Sequence, residues 1–458
     1  MDLLIIVELL VVLLALYVGS RYGSLALGAI SGIGLALLVF GFQLKPGTPP
    51  TDVIYIIVAA VTCAGMLQAA GGMDWMIQLA EKLLRRKPEM ITFLAPLCTF
   101  FLTVMVGTGH VVYTLMPIIC DIALKKGIRP ERPCGVASVA SQLGITCSPI
   151  AAAVASFVVI SSAHGFEITN LQVVAVTIPA TLCGLLCASA LSYRRGLDLD
   201  KDPHFQARCA NPETYQYMYG HSATLLDKEV TREAKLSVYI FLAALGVIVL
   251  FSVCQMLGCD IRPSFVTDQL DTQGQPVVKP LAMNIIIQIV MIAAAAFMVI
   301  LAKAEPKRVV AGAVWQSGMV AVVAIYGIAW LADTFIGNYM EEMKSALGGV
   351  VAIYPWAIAF AFFAVSVLIN SQGAVVVSML PLAYTLGIPG MVLLGVFPSV
   401  YGYFFIPNYP SDIATVNFDR SGTTRIGKYL LNHSFMMPGL VSVFVATVVS
   451  YALAMLCF

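Results

Sequence analysis

The stretch VMVGTGHVVYTLMP, residues 104–117, decides how this chain is read. It is apolar on both flanks and carries Gly107-Thr108-Gly109-His110 at its centre. Far downstream, VLINSQGAVVVSMLP, residues 367–381, repeats the plan around Asn370-Ser371-Gln372-Gly373, and Gly109 to Pro117 is spaced like Gly373 to Pro381. Two more apolar runs are interrupted, at 146–149 (Thr146, Ser148, Pro149) and at 406–412 (Pro407, Asn408, Pro410, Ser411). Composition names the solvent around these runs. Hydrophobic residues make up 59% of the 458 and charged residues 11%, against about 25% charged in globular domains. The chain is therefore read as an all-α polytopic membrane protein. A secreted disulfide scaffold, a disordered chain and a soluble enzyme are excluded. A net charge of +1 without a basic tract makes nucleic acid an unexpected partner. The eleven cysteines lack CxxC spacing and read as small core residues. There is no HExxH, and the histidines at 110, 164, 204, 221 and 433 are too dispersed for a zinc site. No metal, cofactor or catalytic residue is expected.

A helix needs about 20 apolar residues to cross a bilayer. Runs that meet this lie at 3–20, 24–42, 53–71, 171–193, 236–256, 282–302, 310–332 and 433–457. Asp2 and Glu8 precede any basic residue, so the first run is expected to be a retained span rather than a cleaved leader. One set of connections is basic: Arg21, then Lys82 to Lys87, then Lys125 to Arg132, the loop 194–235, Lys303 to Arg308, and Arg420 to Lys428. The other set, 43–52, 164–170, 257–280 and 333–349, is acidic or poor in positive charge. Basic connections stay in the cytoplasm. Both sets fit one threading only if 88–124 and 350–387 are re-entrant hairpins. That gives ten crossings, two of them the broken helices 134–163 and 390–416, with both termini periplasmic. The loop 194–235, with its 14 charged residues, is a cytoplasmic linker between membrane repeats 1–193 and 236–458. Cys254 and Cys259 fall near the outer side, where a disulfide or two free thiols fit equally.

The hairpins carry similar sequence with opposite flanking charge. Eight Lys and Arg bracket the first; Glu341, Glu342 and Lys344 precede the second. An amphipathic stretch precedes each, at 72–84 and 334–346. That combination is the signature of inverted-topology repeats. Unwound backbone inside a membrane costs several kcal/mol per unpaired group unless it lines a polar cavity. Two hairpin tips and two broken helices meeting at mid-membrane therefore make a transporter site. Its candidate residues are Gly107, Thr108, Gly109, His110, Thr146, Ser148, Asn370, Ser371, Gln372, Asn408 and Ser411. No Lys or Arg lies between Arg132 and Arg194 or between Lys344 and Arg420. An anion there would be held by half-helix N-termini, about +0.5 charge each, with hydroxyl and amide donors. Asp412 is the one charge between Lys344 and Asp419; it is either a cation- or proton-coupling group or a helix N-cap. Asp121 is read as a solvated end residue, Asp333 as an interfacial anchor, and Gly28, Gly32 and Gly34 as a close-packing face.

Gly107-Thr108-Gly109-His110, Ala140-Ser141-Gln142-Leu143-Gly144-Ile145 with Ser148-Pro149, Asn370-Ser371-Gln372, Tyr409-Pro410-Ser411-Asp412 and the run from Phe418-Asp419-Arg420 to Gly427-Lys428 closely resemble the anaerobic C4-dicarboxylate transporter family, DcuA/DcuB type. So does Glu81-Lys82-Leu83-Leu84-Arg85-Arg86, and the loop Leu197 to Asp202 is closer to the DcuB branch. The resemblance covers essentially the whole chain. It implies an inner-membrane antiporter of fumarate, malate, aspartate and succinate in anaerobic respiration, with a scaffold and a transport domain that moves in elevator fashion. A sodium- or proton-coupled uptake carrier is the alternative. Partners it implies are the C4-dicarboxylates and the bilayer, with a homo-oligomer and a membrane sensor kinase left open. Gly373-Ala374-Val375 and Cys147 depart from the family pattern at the expected tips.

Overall fold

Gly107 adopts a left-handed φ of 79°, a conformation glycine takes without a Cβ clash, and at that point a long apolar helix stops. The computed structural model describes residues 3–22, 24–220, 222–257, 259–270, 276–339, 341–342, 353–407, 409–427 and 432–457. Its helices, in chain order, are α1 Leu3–Arg21, α2 Ser24–Ala36, α3 Thr51–Ala69, α4 Gly72–Arg86, α5 Ile91–Val106, α6 Val111–Lys125, α7 Glu131–Leu143, α8 Ala152–Ala163, α9 Asn170–Tyr193, α10 Pro203–Cys209, α11 Pro212–Tyr219, α12 Arg232–Met256, α13 Met283–Leu301, α14 Pro306–Ala311, α15 Ala313–Asn338, α16 Ile358–Leu368, α17 Gln372–Thr385, α18 Gly390–Val396, α19 Pro410–Phe418 and α20 Met436–Cys457. Among the described residues, eight helical stretches are long and apolar enough to cross a membrane, and five shorter apolar helices accompany them. The molecule is an all-α polytopic membrane protein.

Four interrupted helices occur where Gly, Pro and small polar residues interrupt the apolar runs. Helix α5 ends at Gly107, whose N–H is donated to the Thr103 carbonyl at 2.8 Å, and α6 restarts at Val111. After α7 the chain passes through a 3-10 turn at Gly144–Cys147 and an extended Ser148 before α8. Helix α16 stops at Leu368, and Ser371 caps α17 by accepting the Ala374 N–H at 3.3 Å. The fourth break differs from the expected 406–412. A 3-10 turn occupies Phe397–Val400, the chain is irregular from Tyr401, and α19 begins at Pro410. Proline fits the first helical position because its missing N–H would be unpaired there anyway. Ser411 and Asp412 therefore lie inside the helix, not in the break.

Two other readings are corrected, that of 334–346 and that of Asp121, and further positions gain detail. Residues 334–338 extend α15 instead of opening an amphipathic helix, and Met343 and Lys344 lie outside the described residues. The connection 257–280 holds an antiparallel hairpin of β1 Ser264–Leu270 and β2 Pro276–Pro280. Cys254 and Cys259 are free thiols. The carboxylate of Asp333 accepts from the Thr48 N–H at 2.7 Å, so it fastens the 43–50 connection onto α15. Asp121 is not solvated. It is fully buried at the end of α6, with Lys125 Nζ at 3.0 Å, Arg420 at 3.1 Å and Arg85 at 3.6 Å. The loop 194–235 is pinned to the bundle: Arg132 reaches Asp198 at 2.7 Å, and the Leu225 N–H and Thr224 hydroxyl donate to Glu81.

Packing pairs the elements in an exchanged pattern. Helix α2 packs on α15 as α13 packs on α3; α6 packs on α19 as α17 packs on α8; α9 packs on α20. At the α2–α15 crossing a Cβ on Gly28 would meet the Val323 carbonyl and the Ala324 Cα, and one on Gly327 would meet the Gly28 carbonyl. Gly34 is tight against Ala15 and Leu331, whereas Gly32 faces open space and is not part of the contact.

Candidate functional site

Four helices begin at one cavity. Its volume is about 830 Å³, and its lining includes His110 just before α6, Ala152 and Ala153 at the start of α8, Gln372 and Gly373 at the start of α17, and Tyr409 and Pro410 at the start of α19. The breaks bring this about: each halts a helix in mid-bundle and restarts another there. Ideal Cβ placement puts Gly373 3.4 Å from the Ala152 Cβ, so the starts of α8 and α17 touch. A helix start leaves its first N–H groups unpaired and carries about half a positive charge. Converging starts give a positive interior without a buried basic side chain.

Side chains complete the lining. Thr108 Oγ1 and His110 Nδ1 are 2.7 Å apart, which holds the imidazole ring and leaves Nε2 for other partners. Tyr113, Gln316 and Ser317 also face the cavity, and Arg21 stands at its edge with Tyr17 as a hydrogen-bond partner at 2.7 Å. Behind the lining runs a buried polar network. The Tyr403 hydroxyl donates to Gln142 Oε1 at 2.8 Å; Gln372 Nε2 donates to the Gln142 carbonyl at 2.8 Å. Gln142 Nε2 donates to Ser411 Oγ at 3.4 Å, and Ser138 Oγ donates to Asp412 Oδ1 at 2.6 Å. Such a network fixes α7, α17 and the 401–409 segment relative to one another, because each unmade bond would strand a buried polar atom.

The structure sorts the expected residues into two layers. Gly107, Thr108, His110, Asn370, Ser371 and Gln372 line the cavity. Gly109 does not; a Cβ there would meet Gln142 Nε2 and the Ser141 carbonyl, so its role is close approach of the α5–α6 break and α7. Thr146 is buried and donates to the Leu143 carbonyl at 2.8 Å. Ser148 and Ser411 are buried behind the cavity wall. Cys147 contacts Thr181 of α9 at 3.3 Å and lies away from the cavity. Asn408 and His221 lie outside the described residues. Asp412 is 1% exposed in the first turn of α19, whose N-cap is Tyr409, so it is not the capping residue. Residues not expected from sequence are Arg21, Tyr113, Gln142, Gln316, Ser317, Tyr403 and Tyr409. One signal was available for Gln142. The dipeptide Ser-Gln occurs at 141–142 and 371–372 and nowhere else in the chain.

Residues 4–458 match the family described as anaerobic C4-dicarboxylate membrane transporter. The chain is 44% identical over 451 residues to the anaerobic C4-dicarboxylate transporter DcuB of Escherichia coli O6:H1, covering 98% of each chain. It is 34% identical over 452 residues to the C4-dicarboxylate transporter DcuA of Wolinella succinogenes, covering 98% of this chain and 99% of that one. A C4-dicarboxylate transporter DcuA of Escherichia coli K12 is likewise 34% identical, over 453 residues.

Proposed function

The chain belongs to the anaerobic C4-dicarboxylate membrane transporter family of DcuA/DcuB type, nearer to DcuB, and from that premise we propose that it exchanges fumarate, malate or aspartate for succinate across the bacterial inner membrane. The observation that carries this is the meeting of four helix starts on one cavity. A dicarboxylate is a two-ended dianion. Paired N-termini from the two halves offer each carboxylate free N–H groups and a positive dipole, and Thr108 and Ser371 add hydroxyls. The loaded site is electrically compensated and the empty one is not. Re-orientation is therefore favoured when substrate is bound, which is the condition for obligatory exchange. Labelled succinate loaded into proteoliposomes should leave quickly only when fumarate is present outside; efflux at the same rate without fumarate would count against exchange.

The exchanged packing of α2–α15 with α13–α3, and of α6–α19 with α17–α8, supports inverted repeats in 1–193 and 236–458 joined by the linker 194–235. In this reading 88–124 and 350–387 are re-entrant hairpins of a transport domain, 134–163 and 390–416 its broken helices. That body slides past α2, α3, α13 and α15 as an elevator, with both termini periplasmic. The lining reaches Arg21 and Ala313, next to basic connections, which supports a cavity facing the cytoplasm. A second reading rests on Asp412. Among the described residues this buried carboxylate has Ser138 as its donor and no basic partner, and a buried charge without a counter-ion is costly. Coupling to a proton or sodium ion at Asp412 would resolve it. Exchange that survives collapse of both gradients, and is unchanged in Asp412→Asn, sinks that reading.

A further inference from the structure

Helix α4 joins the apolar spans α3 and α5 and is itself too polar to cross, with Asp74, Glu81, Lys82, Arg85 and Arg86 along it. Its 15 residues run about 22 Å. One face packs inward: Met73, Met76, Ile77, Ala80 and Leu84 are buried. Arg85 pairs with Glu81 at 2.7 Å and reaches Asp121 of α6 at 3.6 Å. The opposite face is open. Trp75, Leu79, Lys82, Leu83 and Arg86 follow the i, i+4, i+7, i+8, i+11 spacing of one helix side. Leu79 is 48% exposed and Leu83 45%; Lys82, Arg86 and the following Lys87 are exposed too. Among the described residues none of these three cations has a partner for its side chain. The carboxylates on and next to α4 are engaged by other bases: Asp74 by Lys228, Glu81 by Arg85, Glu89 by Lys126.

Two aromatic pairs mark the depth of this helix. Trp75 meets Tyr239 of α12 edge to face with ring centroids 5.8 Å apart, and Phe93 of α5 meets Tyr193 of α9 at 5.8 Å. Tyr239 and Tyr193 are exposed. Exposed aromatic rings at the ends of spans sit where hydrocarbon gives way to headgroups. One pair stands at the start of α4 and the other just past its end, so the helix lies along that boundary. Tryptophan and leucine interleaved with Lys and Arg are what such a position needs.

We propose that the face formed by Trp75, Leu79, Lys82, Leu83, Arg86 and Lys87 is a docking surface for anionic phospholipid headgroups. The leucines enter the upper acyl region, and the three cations pair with lipid phosphates, Arg86 through two parallel N–H donors. A zwitterionic headgroup carries its own cation and gains less. Lipid held here steadies the helix whose inner face contacts α6 through Arg85 and Asp121. The proposal rests on the membrane-spanning fold and not on what the cavity carries.

The test reconstitutes the full chain in vesicles of phosphatidylglycerol and phosphatidylcholine, one or the other brominated high on its acyl chains. Bromine quenches indole on contact, and the Trp75 share of the emission is the difference between the chain and Trp75→Phe. The relative binding constant at Trp75 should favour phosphatidylglycerol by about fivefold or more, the size expected for a cation beside an anionic surface. Lys82→Gln/Arg86→Gln/Lys87→Gln, which strands no partner, should bring it to about one, and so should about 0.5 M salt on the unaltered chain. The salt arm carries the test if the triple variant elutes as aggregate in detergent. A preference that survives in the triple variant or at high salt would place the headgroup contact elsewhere. Equal quenching by both lipids at low salt would leave these cations for an acidic protein partner. Either result overturns the proposal. No substrate is present, so a failure to exchange dicarboxylates is a separate result.

Discussion

Thr108 does two jobs through one hydroxyl. It faces the cavity, and its oxygen sits 2.7 Å from His110 Nδ1, setting the ring's orientation. Thr108→Val keeps the shape and removes both functions. Losing one hydrogen bond of about 1 kcal/mol predicts a roughly five-fold fall in fumarate kcat/KM, with Thr108→Ser restoring most of it. An equal loss in the serine variant would show that the methyl, not the hydroxyl, matters. Arg21 acts differently, since it lies at the edge, exposed, beside Tyr17. A charge there attracts a dianion without gripping it. Arg21→Gln should raise KM about threefold at low ionic strength and leave kcat unchanged. The effect should fade near 0.5 M salt, where screening lengths fall well below about 10 Å. A salt-independent change would place Arg21 in direct contact with substrate.

At the scale of elements, the close α2–α15 crossing depends on Gly28 and Gly327, where any Cβ would overlap backbone of the facing helix. Gly28→Ile should force the helices apart and cost about 3 kcal/mol, the upper range for overpacking a tight contact. It should read as a lower detergent unfolding temperature, while Gly32→Ile, in open space, should leave that temperature unchanged. The breaks were legible in sequence because their residues declare themselves: Gly107, Ser371 and Pro410 are poor inside apolar helices for distinct reasons of backbone freedom, capping and missing N–H. The early start of the last break was not legible. Tyr401, Tyr403, Phe404 and Phe405 are bulky and mostly apolar, and hydropathy reads them as continuing helix; in fact Tyr401 and Tyr403 are buried and pack against each other edge to face. Local sequence misleads at Asp121 for a related reason. Its charge is visible locally, but Arg85 and Arg420 come to it from elements distant in the chain.

For the whole molecule, the reading depends on which bulk phase reaches the cavity. The lining runs from the helix breaks at Thr108 and Ser371 to Arg21, Ala313 and Gln316 at helix ends beside basic connections. Toward the opposite ends of α3 and α15, a smaller cavity of about 260 Å³ is lined by Thr48, Asp52, His164 and Asp333, near connections poor in positive charge. Residues of α3, α8 and α17 line both. A body carrying α8 and α17 that slides along α3 and α15 would close one opening as it opens the other. Single cysteines at 108 and 371, in a chain whose native cysteines have been replaced, should react with a membrane-impermeant thiol reagent from the cytoplasmic side of oriented vesicles. Saturating fumarate should slow that labelling and let some reagent in from the opposite side. Cysteines at 48 and 164 should show the reverse preference. Labelling of 108 and 371 from neither side would mean that the tips face lipid within continuous spans, and the converging helix starts would then have no solute to hold.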